Sequence, residues 1–115
     1  MTTTPSLAAV QQAVRDFRDA RDWRQFHSPK NLSMAIAIEA AELMERFQWL
    51  TTAQAETLAQ LDSPAHQAIS AELADVLIYC FSLAEVLGCD VAAIILDKLA
   101  KNDQKYPVEK YRGRF

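Results

Sequence analysis

Apolar positions along this chain recur at steps of three and four, and no segment alternates convincingly between apolar and polar residues. Leu7, Val10, Val14 and Phe17 make the first such stripe, with Ser6 placed to cap a helix before it. RDWRQFHSPKN follows, rich in aromatic and charged residues. Pro29 pushes Ser28 out of helical geometry, so the stretch reads as a loop. Asn31 or Ser33 then caps a second helix running to about Leu50, whose apolar positions go nearly all the way round. That pattern predicts a helix buried on more than one side. Residues 51–62 predict a short helix or helical loop. SPAHQ is a start signal, with Ser63 as cap and Pro64 at the first helical position of a third main helix that stops at Gly88. Asp90 caps a fourth, striped by Val91, Ile94, Ile95 and Leu99 and closed by Tyr106 and Pro107. The final VEKYRGRF reads as a polar, partly mobile tail. The expectation is an all-α fold of four main helices joined by short connections.

Composition narrows the class. A length of 115 residues predicts one domain, and 50% hydrophobic residues supply a real core. Only 2 glycines and 4 prolines punctuate the chain, which disfavours a turn-rich β-sandwich. The net charge of −3 argues against a general nucleic-acid partner, which needs a basic stripe to displace phosphate counterions. Cys80 and Cys89 sit among apolar residues without a CxxC pattern, so buried thiols of a cytoplasmic protein are favoured over a disulfide. MTTTPS lacks the basic and apolar regions of a signal peptide, and no apolar run approaches the roughly 20 residues of a membrane helix. The expectation is a soluble, cytoplasmic protein without a membrane partner.

One feature resists a purely structural reading. IEAAELMERFQW sets Glu39, Glu42 and Glu45 three residues apart inside an apolar helix, where they share a face. ISAELADVLIY repeats the oddity with Glu72 and Asp75. If the two helices pack face to face, four carboxylates converge. Two carboxylates about 4 Å apart repel by roughly 4 kcal/mol at an effective dielectric near 20. Water, a basic partner or a metal ion must offset that. An all-oxygen, anionic cluster suits Mg²⁺, or Mn²⁺ as a substitute, and not zinc. A di-iron bundle would need ExxH pairs, and neither His27 nor His66 follows a glutamate at that spacing. The competing account of each glutamate is an ordinary solvated helix residue.

The ExxE and ExxD pair, with RDWRQFHSPKNL, FQW, ELADVLIY and KNDQKYP, resembles the all-α nucleoside triphosphate pyrophosphohydrolases of the MazG-like superfamily, and within it the dCTP pyrophosphatase branch. The similarity spans about residues 7–107, so residues 1–115 are expected to be a single domain with a tail at 108–115. The resemblance implies a four-helix-bundle-type fold assembled as a homodimer or homotetramer. It also implies Mg²⁺-dependent hydrolysis of a nucleoside triphosphate, dCTP or a modified dCTP, to the monophosphate and pyrophosphate, a house-cleaning role in the nucleotide pool.

Carried onto this chain, the resemblance makes Glu39, Glu42, Glu72 and Asp75 the metal ligands and catalytic carboxylates. Glu45, one turn further, is either an outer partner of that set or the partner of a basic neighbour. Trp23, Phe26 and His27 would line a base pocket with Trp49 and Tyr79, since aromatic faces stack on bases for about 1–3 kcal/mol each. Tyr79 is equally readable as core. Lys98 and Asn102, at i and i+4, would reach the phosphates, although Lys98 also fits a solvated cation near a helix end. The animal members of the branch carry a histidine on the first helix where this chain has Val14, which leaves the choice of base open. The alternative class is a non-catalytic helical oligomer whose carboxylates form a structural or regulatory charge cluster.

Overall fold

The computed structural model describes residues 3–60 and 62–114. Helices α1 (Leu7–Ala20), α2 (Pro29–Glu45), α3 (Thr52–Leu58), α4 (Pro64–Val86), α5 (Val91–Lys105) and α6 (Val108–Tyr111) follow in order, with one 3₁₀ turn at Arg24–Phe26. No strand occurs among the described residues. The all-α expectation holds, with α1, α2, α4 and α5 as the four main helices.

Each main helix begins where a side chain can satisfy its unpaired amides. Ser6 Oγ accepts from the Ala9 amide, Ser63 Oγ from His66 and Asp90 Oδ1 from Ala93, at 3.1, 3.0 and 2.8 Å. Thr51 and Gln54 exchange both bonds of a capping box at α3. The start of α2 differs from the sequence expectation of Asn31 or Ser33. Ser28 is the cap, accepting from Asn31 N at 3.0 Å, with Pro29 at the first helical position. The extended backbone that proline imposes on its predecessor is also the conformation a cap requires, so the same restriction that suggested a loop starts the helix. At its other end α2 stops at Glu45, not Leu50. Bonds from Arg46, Phe47 and Leu50 to carbonyls three residues back, with Gln48 alone still reaching four back to Met44, tighten the chain into turns.

Two helices close with the same device. After α4, Gly88 adopts φ 69°, and the amides of Gly88 and Cys89 bond to the carbonyls of Glu85 and Ala84. After α1, Asp22 adopts φ 54°, and the amides of Asp22 and Trp23 bond to Asp19 and Arg18. Both are Schellman motifs, the second using aspartate where glycine is usual. Its accompanying apolar contact is Trp23 on Phe17, edge to face with ring centres 5.7 Å apart. The C-terminal segment, expected as tail, forms α6, with Tyr111 stacked edge-on against Tyr106 at 5.2 Å.

The dominant packing is α2 against α4, with α1 lying on α4 and on α5. Arg46 meets Glu72 while Glu39 meets Asp75, so α2 and α4 run antiparallel. Arg15 on α1 is tied to Glu85 on α4 at 2.7 Å. Few apolar side chains are buried: among the described residues only Leu32, Ala84 and Val91 fall below a tenth exposed. The apolar girth of α2 is real, but within one chain Met34, Ile38 and Met44 stay exposed. Cys80 and Cys89 are free thiols, each half-buried. No single helix among the described residues is long and apolar enough to cross a membrane; α4 and α5 pass such a test only as a pair bent by 97°.

Candidate active site

The antiparallel pairing of α2 and α4 brings the two acidic motifs together. Carboxylate oxygens of Glu39, Glu72 and Asp75 lie within 4.8 Å of one another. Glu39 and Glu72 are half-buried and Asp75 is exposed. Burial raises the Glu39 pKa above the ordinary carboxylate value; the hydrogen bond and charge of Glu42 raise it further, followed by the charges of Asp75 and Glu72. Glu42 therefore adjoins the triad while standing more in solvent. One of the three expected offsets to the repulsion is present: Arg46 Nη2 donates to Glu72 Oε1 at 3.1 Å. It does not complete the site, because Glu39 Oε2 is buried without a hydrogen-bond partner among the described residues. A buried carboxylate oxygen with no donor is costly, and an all-oxygen donor set beside it fits a hard divalent cation. Glu45 is exposed and forms no ion pair among the described residues.

Asp75 also stands in the wall of a cavity of about 540 Å³ between α1 and α4, a size usual for small-molecule sites, about 300–1,000 Å³. Tyr79 and Ser82, one and two turns beyond Asp75 on the same helical face, continue that wall. Val10, Val14 and Phe17 supply an apolar face from α1, and Trp23 joins the lining, held there by the Schellman turn. Acidic cluster and aromatic cavity thus share one residue.

The MazG-like family profile matches residues 34–114, a span containing both acidic motifs. The chain belongs to the MazG-like family. The dCTP pyrophosphatase 1 of Rattus norvegicus is 39% identical over 110 residues, and that of Homo sapiens 38% identical. Each match covers 95% of this chain and 64% of the relative, so the chain spans rather less than two thirds of the length of the curated proteins it matches. A pyrophosphatase from Archaeoglobus fulgidus superposes with a TM-score of 0.80 at 33% identity, covering 93% of this chain and 97% of that one. These proteins are what the MazG-like chain is similar to.

Not every expected residue joins the site within one chain. Phe26, in the 3₁₀ turn, is exposed and outside the cavity lining. His27 follows it, half-buried, with Nδ1 unpartnered among the described residues. Burial first, then the cations of Arg18 and Arg24, hold its pKa below the usual imidazole value. Trp49 is 86% exposed on the turn after α2. Lys98 and Asn102 share a separate shallow depression on α5 with Ile94, Ile95 and Leu99.

The MazG-like sequence held one further signal that the motif reading passed over. Arg18 is only 8% exposed and lines the cavity. It continues the step-of-four series Val10, Val14, so an arginine occupies the apolar stripe of α1. A charge on that stripe is the mark of a cation turned inward.

Proposed function

We propose that this chain is a Mg²⁺-dependent nucleoside triphosphate pyrophosphohydrolase of the nucleotide pool, acting on dCTP or a modified dCTP and releasing the monophosphate and pyrophosphate. The observation that carries the reading is the convergence of Glu39, Glu72 and Asp75 around an unpartnered buried oxygen, at the rim of a cavity walled by Trp23 and Tyr79. Glu39, Glu72 and Asp75, with Glu42 alongside, hold the cation, with Mn²⁺ as a substitute. When bound, it supplies Lewis acidity toward the phosphate oxygens and lowers the pKa of water. One of the carboxylates takes the proton of the attacking water as the bond between the α- and β-phosphates breaks. Trp23 and Tyr79 stack on or flank the base, and Asp75 places the phosphates next to it. The names of the relatives, dCTP pyrophosphatase 1 and a pyrophosphatase, support the same chemistry.

Assembly belongs to this reading. The accessible surface is 8,970 Å², against about 6,300 Å² for a compact monomer of this mass. The radius of gyration is 17.2 Å, against about 13 Å for a compact chain of this length. The surplus is the size of an obligate interface and is carried by apolar residues of α2, α4 and α5. A second copy, or two pairs of copies, covers those faces, and it brings Trp49, Phe26, His27, Lys98 and Asn102 to a site that one chain leaves open. The whole of residues 1–115 acts as one MazG-like domain, with its core at about 7–107, and works in the cytoplasm on nucleotides alone, without nucleic acid or membrane.

The ion pair of Arg46 with Glu72 favours the rival account, a structural charge cluster, at one carboxylate only. It leaves Glu39 unexplained. Release of pyrophosphate from dCTP, dTTP, dGTP and dATP, with Mg²⁺ and with chelator, separates the two. Turnover that needs Mg²⁺ is expected; its absence on all four substrates would sink the hydrolase reading.

A further inference from the structure

We propose that Arg18 reads a carbonyl oxygen on the base, so that this chain selects nucleotides whose base carries one over adenine, which carries none. The inference rests on the reading of the α1–α4 cavity as the base site. Arginine is almost never so fully buried unless paired. Here the pairing is incomplete. Nε donates to Asp19 Oδ1 at 2.8 Å, Nη2 approaches the same oxygen as an ion pair at 2.8 Å, and the Asp19 side chain is itself 53% exposed. The guanidinium has five N–H donors in a rigid plane, and Nη1 donates to nothing among the described residues. The pair with Asp19 would form as well on the surface of α1, so it does not account for the inward placement.

The cavity does account for it. Arg18 is the only cation among the lining residues and stands on an α1 wall that is otherwise apolar, Val10, Val14 and Phe17 among it. Its backbone carbonyl accepts from the amide of Trp23 at 3.1 Å, so the residue that offers donors also anchors the aromatic ring. A base lying against Trp23 would present its edge, not its face, to the neighbouring wall. Cytosine, thymine and guanine each have a carbonyl oxygen to offer there. A guanidinium has no acceptor, so adenine could meet it only through a ring nitrogen, and its exocyclic amine turned toward the guanidinium would stay unpaired. A site built around such a donor rejects the ligand that cannot satisfy it.

The test is Arg18→Met, which keeps the aliphatic stem, with Arg18→Gln as a second variant that keeps an N–H donor. Pyrophosphate release is measured on dCTP, dTTP, dGTP and dATP. Losing a hydrogen bond to a charged donor should lower kcat/KM about 10- to 150-fold on the carbonyl-bearing substrates, and about threefold or less on dATP. Arg18→Gln should recover part of the preference. An equal loss on all four substrates, or none, would overturn the proposal. Calorimetric binding of dCMP and dAMP to the same proteins gives a readout independent of turnover. If the unaltered protein releases no pyrophosphate, the hydrolase reading fails, yet selective weakening of dCMP binding still upholds the role of Arg18 and its absence still refutes it. Loss of the helical circular-dichroism signal in both variants would assign Arg18 to the fold and overturn the proposal as well.

Discussion

Replacing Glu39 by glutamine should make the protein more stable without metal and less stable with it. The amide keeps the shape of the side chain and removes one charge from a triad whose oxygens lie within 4.8 Å. At that distance each like-charge pair costs about 3.5 kcal/mol at an effective dielectric near 20 and about 0.9 kcal/mol in water. Asp75 is exposed and Glu72 already has Arg46 against it, so the watery end of that range applies. The two pairs that Glu39 makes then sum to about 2 kcal/mol of relief on neutralisation. The added N–H₂ can also donate to Glu42 or Glu72.

Mg²⁺ acts in the opposite direction. A ligand at 100 times its Kd stabilises the folded chain by about 2.7 kcal/mol, and the variant loses that gain along with a ligand oxygen. Thermal melts at fixed protein concentration, in chelator and in excess Mg²⁺, should therefore cross over. In chelator the variant melts higher, by about 4–8 °C for each kcal/mol of relief; in Mg²⁺ it melts lower than the unaltered protein. Pyrophosphate release should be abolished in the same variant. A variant that melts lower in chelator would refute the reasoning, because the carboxylate would then be holding the fold together and not waiting for a cation.

Three other outcomes follow from the same geometry. Sedimentation at micromolar concentration should give a dimer or tetramer, and a monomer would leave the surplus apolar surface of α2, α4 and α5 without a purpose. Burial, then Arg18 and Arg24, hold the His27 pKa below the usual imidazole value; because its folded pKa lies below the unfolded value, its share of stability is present above about pH 6.5 and is lost as the pH falls through the folded value. His27→Phe should thus lose less stability than the unaltered protein between pH 7.5 and pH 5, and parallel losses would remove His27 as the cause. Trp23→Ala and Trp49→Ala should each raise the KM for dCTP about 5- to 150-fold and weaken base discrimination while metal binding is almost unchanged; unchanged kinetics in both would return the tryptophans to packing and surface.

The convergence of the acidic motifs was legible because their spacing is written in the helical period. Glu39 with Glu42, and Glu72 with Asp75, share faces by spacing alone, and only the antiparallel match of α2 to α4 had to be supplied by packing. Trp23 was legible as an aromatic in a polar stretch, but its anchoring was not. Asp22 in the left-handed region is a choice of backbone that a sequence of ordinary loop residues conceals. The end of α2 was misplaced because Phe47 and Trp49 continue the apolar pattern, while the hydrogen bonds there shift mostly to carbonyls three residues back. Apolar periodicity reports what a residue must be packed against, not whether the backbone is still helical when it gets there.

That distinction also explains why Trp49, Lys98 and Asn102, expected at the site, stand apart from the cavity in one chain. Selection of a side chain for a site acts on the assembled molecule, and sequence spacing cannot say which copy supplies it. Trp49 at 86% exposure is costly to leave in water if its only use is packing. The exposed apolar residues of α5 lie beside Lys98 on the same helix, so a contact that covers Ile94, Ile95 and Leu99 would also fix the position of its amine. On the proposed assembly, the thin core and the open site would have one cause. The apolar residues missing from the interior of a single chain are those on the surfaces through which copies would bring Trp49, Lys98 and Asn102 to the carboxylates, so weakening assembly should cost activity before it costs helix. Dilution below the dissociation constant of the oligomer, with pyrophosphate release and circular dichroism followed together, tests that order directly. Activity per chain that stays constant while the assembly comes apart would show that one chain holds a complete site.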